Sequence, residues 1–85
     1  MKELTYTIRD ACGIHARPAG QLVKLARGCA SSVTLQRGGD SCDVKRLMNL
    51  MGMGIRQGDE ITVRAEGADE EACIAAIGQF LRENV

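Results

Sequence analysis

Apolar residues alternate with polar ones at Leu4, Tyr6 and Ile8, then recur at helical spacing at Ala19, Leu22, Val23, Leu25 and Ala26. A period of two predicts a strand with one buried face. The second spacing predicts an amphipathic helix from Ala16 to about Arg27, with Gly28 as its natural stop. Val33 and Leu35 alternate again, and Gly38-Gly39 fits a two-residue hairpin turn before a return strand carrying Cys42 and Val44. Residues 47–51, bounded by Gly52 and Gly54, fit one or two turns of helix. Ile61, Val63 and Ala65 form the next alternating segment, introduced by Gly58-Asp59. Asp69-Glu70-Glu71 then opens a last helix, with carboxylates where the helix dipole favours them. Cys73, Ile77, Phe80 and Leu81 are its inward face. The order β-α-β-β-α-β-α predicts an α+β domain over residues 1–85: a four-stranded sheet with helices on one face.

Composition narrows the function classes. A chain of 85 residues buries roughly 60–65% of its unfolded surface as one small domain. The formal net charge is zero, which removes the main electrostatic argument for nucleic acid or an anionic membrane. One Phe, one Tyr and no Trp leave no base-stacking surface. No apolar run approaches membrane-spanning length. Met1-Lys2-Glu3-Leu4 lacks the basic start and apolar core of a signal peptide, so a cytoplasmic location is expected. Cysteines fall at positions 12, 29, 42 and 73, none in a C-x-x-C pair. The expectation is four reduced thiols used as small apolar side chains. Cys12 and His15 have ligand-like spacing, but tetrahedral zinc needs two further ligands. No second local pair exists, so no metal and no cofactor are expected.

The densest chemistry lies in Gly13-Ile14-His15-Ala16-Arg17-Pro18-Ala19, which holds the chain's only histidine and only proline. A turn at Gly13 delivers the imidazole to the start of the first helix. Helix N-termini present unpaired N–H groups and partial positive charge, which makes them anion sites. Imidazole is a nucleophile near neutral pH, and Arg17 adds a cation two residues on. Pro18 costs little in a first turn, where its missing N–H would be an orphan anyway. The simplest chemistry for this arrangement is phosphorylation of the imidazole itself. A lone histidine is more often an ordinary surface or core residue; the flanking residues tip the reading toward function.

Those seven residues resemble the active-site signature of HPr, the histidine-containing phosphocarrier family of the bacterial phosphoenolpyruvate-dependent sugar phosphotransferase system. Lys45, Leu47-Met48, Met51, Gly54-Ile55 and Gly58-Asp59-Glu60-Ile61 match a second segment, and Gly67-Ala68-Asp69-Glu70 a third. The resemblance runs the length of the chain in register. It implies an open-faced β-sandwich, a four-stranded antiparallel sheet covered on one face by three helices. It also implies a carrier rather than an enzyme. His15 would accept the phosphoryl group through Nδ1, Arg17 would stabilise it, and the backbone N–H groups of Ala16 and Arg17 would bind it. Enzyme I would donate the group and IIA domains of sugar permeases would take it. The implied docking surface includes Gln21, Lys24, Arg27, Leu47, Met48 and Met51, on a monomeric protein. A specialised carrier serving nitrogen regulation or one operon is the alternative. A regulatory binder without phosphoryl transfer is opposed by the presence of His15 and Arg17. Arg46 stands where many Gram-positive members carry a regulatory serine, so that modification is not expected here.

Overall fold

The computed structural model describes Met1–Val85 as β1 (Lys2–Thr7), α1 (Ala16–Arg27), β2 (Ser32–Arg37), β3 (Asp40–Asp43), α2 (Leu47–Gly52), β4 (Glu60–Glu66) and α3 (Glu70–Asn84). This is the expected element order. The strands form one antiparallel sheet in the order β1-β4-β2-β3. Register follows the alternation: Leu35 and Leu4 both pair with Val63, Val33 with Ala65, and Tyr6 with Ile61. A one-residue slip would turn all of these to solvent. The sheet's apolar face and the helices enclose one cluster of 18 buried residues.

Helix α1 buries Pro18, Ala19, Leu22, Val23 and Ala26, and α3 buries Cys73, Ile77, Gly78 and Leu81. Leu25 and Phe80, expected inside, are half-buried because both border an open groove between α1 and α3. The hairpin turn uses positive φ at Gly38 alone (58°), as a type II′ turn requires at its first central residue. Strand β3 ends at Asp43, and fully buried Val44 follows it, its N–H donating to the Val33 carbonyl at 3.0 Å. Gly28 stops α1 while keeping right-handed dihedrals (φ −75°); its N–H closes on the Lys24 and Leu25 carbonyls. No helix is long and apolar enough to cross a membrane.

The thiol expectation is corrected. Cys29 and Cys73, 44 residues apart, pair as a disulfide with their Cα atoms 5.9 Å apart. Cys12 and Cys42 are free. Local spacing carries no information about a link of this length. In the chain-entropy picture, closing such a loop removes about 4 kcal/mol of unfolded-state entropy. Asp69 reinforces the same junction. Its carboxylate accepts from the N–H groups of Ala30 and Ser31, each at 2.9 Å, and from the buried Ser31 hydroxyl.

The Ser31 hydroxyl, then the Ala30 N–H, hold the Asp69 carboxyl below the usual carboxylate range. A depressed folded-state pKa contributes stability that is present above the ordinary Asp value and lost as pH falls through the folded one. Asp69→Ala is therefore expected to destabilise the fold at about pH 6, with the deficit relative to wild type shrinking below about pH 4. Urea denaturation across that range checks this; a deficit constant with pH would contradict it.

Candidate functional site at the start of the first helix

The segment between β1 and α1 is pinned from two sides. The N–H groups of Arg9 and Asp10 donate to the Val85 carbonyl at 2.8 and 2.9 Å, and that of Gly13 donates to the Asp10 carbonyl at 2.9 Å. Asp10 Oδ1 accepts from the Cys12 N–H at 2.8 Å, a side-chain turn typical of aspartate. Ile14 N–H then reaches the Ile55 carbonyl at 3.3 Å, and the Ile14 side chain is buried. Gly13 makes the approach possible. Its φ is +64°, and a Cβ there would collide with the Ile55 carbonyl oxygen and lie 2.8 Å from the Arg56 Cα.

With Ile14 turned inward, His15 emerges exposed as the N-cap of α1, in extended conformation (φ −96°, ψ −175°). Its carbonyl accepts from the Ala19 N–H at 2.9 Å. Its side chain makes no capping hydrogen bond, so the imidazole is not committed to the backbone. Ala16 and Arg17 lie in the first turn, where N–H groups have no intrahelical acceptor, and both are exposed. The Arg17 guanidinium takes part in none of the ion pairs of the fold. The result is a solvent-facing imidazole at the positive end of a helix dipole, with two free N–H donors in the first turn and an uncommitted cation two residues on. That combination suits a phosphoryl group held on the ring.

The remaining residues expected at the surface divide into two groups. Leu47, Met48 and Met51 are 37%, 78% and 40% exposed, whereas Leu50 of the same short helix is buried. The thioethers are thus offered to solvent rather than used as core. Arg27 leans toward them, its Nε donating to the Lys45 carbonyl at 2.8 Å. Gln21 and Lys24 are exposed on α1 and border the groove against α3. Arg46 caps α2 and lies 3.8 Å from Asp43 in an exposed pair. Sequence reasoning missed Asp10. Its carboxylate, the Cys12 thiol and the His15 imidazole have potential ligand atoms all within 4.8 Å of one another. The D-x-C-x-x-H spacing was the available signal, and only the turn closes it.

Residues 2–83 match the family profile described as PTS HPr component phosphorylation site. The chain belongs to the HPr family. The phosphocarrier protein HPr of Mycoplasma genitalium is 44% identical over 85 residues, covering 99% of this chain and 97% of that protein. The HPr of Lysinibacillus sphaericus is 36% identical over 83 residues, covering 98% and 94%. The solved structure of a mycoplasma histidine-containing phosphocarrier protein superimposes with a TM-score of 0.94 at 36% identity, covering 96% of this chain and 93% of that one. The open-faced sandwich is therefore the HPr fold, and the general role of the family, phosphocarrier of the sugar phosphotransferase system, applies to this chain.

The Gly13 contact generates a direct test. Gly13→Ala places a side chain at positive φ, costing about 1–2 kcal/mol, and adds the overlap with Ile55. It is expected to lower stability by at least about 2 kcal/mol, seen as a reduced urea midpoint with unchanged slope. A midpoint equal to wild type would show that the loop does not depend on this approach.

Proposed function

We propose that this protein carries a phosphoryl group on His15 Nδ1, taking it from phosphorylated enzyme I and passing it to IIA domains of sugar permeases. The observation that carries this reading is the exposed, uncommitted imidazole of the residue at the N-cap of α1, followed by two free N–H groups and by Arg17 in the first turn. The neutral ring nitrogen attacks the phosphorus of the donor. The N–P bond forms as the donor's bond to phosphorus breaks, and the reverse exchange delivers the group to the acceptor. The N–H groups of Ala16 and Arg17 and the guanidinium stabilise charge on the phosphoryl oxygens. Because donor and acceptor meet the same atom, both dock over the same face. Leu47, Met48 and Met51 supply an adaptable apolar contact, and Lys24, Arg27 and Arg46 supply positive charge that speeds encounter with acidic partners. Arg46 has no hydroxyl, so seryl phosphorylation at this position is not part of its regulation.

Incubation with phosphoenolpyruvate and enzyme I is expected to add one acid-labile phosphoryl group per chain, and His15→Ala is expected to take none. Phosphorylation of His15→Ala under the same conditions would overturn the assignment.

Arg17→Ala is expected to fold as wild type, within about 0.5 kcal/mol, since the side chain is exposed and unpaired. Its transfer rate is expected to fall by up to about 100-fold. Rapid-quench kinetics in both directions measure this; unchanged rates would assign the stabilisation to the backbone donors alone.

A further inference from the structure

We infer that Asp10, Cys12 and His15 form a binding site for one thiophilic divalent cation such as Zn²⁺, and that its occupancy withdraws His15 from phosphoryl acceptance. The second half rests on the carrier reading above; the first does not. Three side chains of the types that zinc prefers bring one ligand atom each to within 4.8 Å of one another. Tetrahedral coordination places ligand atoms roughly 3.3–3.6 Å apart. Cys12 and His15 are exposed and Asp10 is half-buried, so about an ångström of closure needs only side-chain rotation. The backbone is already placed: Asp10 is tied to Val85 and Gly13, and Oδ1 holds the Cys12 N–H. Oδ2 has no hydrogen-bond partner within the fold and is free to take a ligand role.

Charge and competition favour this site over other sulfur in the chain. The helix N-terminus and Arg17 oppose a cation. A carboxylate and a thiolate contribute two negative charges at contact distance, which outweighs a partial charge and a mobile guanidinium. Binding displaces the Cys12 proton to solvent as the metal–sulfur bond forms. Cys29 and Cys73 are consumed by their disulfide. Burial, and then the charge of Asp43, push the Cys42 thiol up, which makes it a poorer ligand. Three protein ligands leave a fourth position for water. An imidazole whose lone pair is shared with a metal, inside a site carrying an extra cation, is no longer a free nucleophile for the phosphoryl donor.

The test is a titration of the full chain with Co²⁺, in buffer without thiols or chelators. One equivalent is expected to give a sulfur-to-cobalt charge-transfer band, displaced by Zn²⁺. Cys12→Ser is expected to abolish the band. Asp10→Asn keeps an oxygen for the Cys12 N–H and is expected to weaken affinity by at least about tenfold. Zinc is expected to inhibit phosphorylation of His15. The concentration for half-inhibition should rise at least about tenfold in Cys12→Ser, scaled to that variant's own metal-free rate. No band in wild type, or a band that survives Cys12→Ser, overturns the site. A bound metal with undiminished phosphorylation overturns the competition. Metal-free protein that takes no phosphoryl group would strike the carrier reading instead, while the cobalt titration still decides the site.

Discussion

The contact on which the site depends is the approach of Gly13 to the backbone at Ile55 and Arg56. Residues 13 and 55 lie in different loops, one before α1 and one before β4. Where they meet, no side chain fits on residue 13, and Ile14 is drawn into the core. The next residue must then face out at the moment the helix begins. His15 is exposed for that reason, and it stands at an N-terminus whose donors are free. An imidazole presented in this way has the helix dipole and free donors of an anion site already in place beside it.

The far end of α1 is held by different physics. There the Asp69 carboxylate gathers the N–H groups of Ala30 and Ser31, and the disulfide joins Cys29 to α3. Lys45 adds a further tie, its ammonium donating to the Cys29 carbonyl at 3.0 Å. The helix that carries the imidazole is thus fixed at both ends. Support at both ends holds the imidazole in one geometry.

The surface around the site combines an apolar patch on α2 with cations on two helices. The chain is neutral overall, yet Arg17 in the first turn of α1, Lys24 and Arg27 in its last turn, and Arg46 just before α2 are all exposed. Exposed thioethers and solvent-facing cations contribute little to folding. Their chemistry suits brief association, in which charge speeds encounter and flexible apolar contacts tolerate several partner shapes.

Element order, strand faces and the candidate chemistry of the Gly13–Ala19 segment were legible in the sequence. They follow from local periodicity, and from the fact that a helix start, a turn glycine and an imidazole within seven residues already define a chemistry. The exposure of Leu47, Met48 and Met51 was legible only through the family resemblance, because six helical residues carry no decisive period. The Cys29–Cys73 link, the Asp69 junction, the half-burial of Leu25 and Phe80 and the convergence of Asp10 on Cys12 and His15 were decided by tertiary structure. Each joins groups whose separation along the chain says nothing about their distance in space, or depends on which face a turn leaves open. Sequence determined which residues could act; packing decided which of them meet.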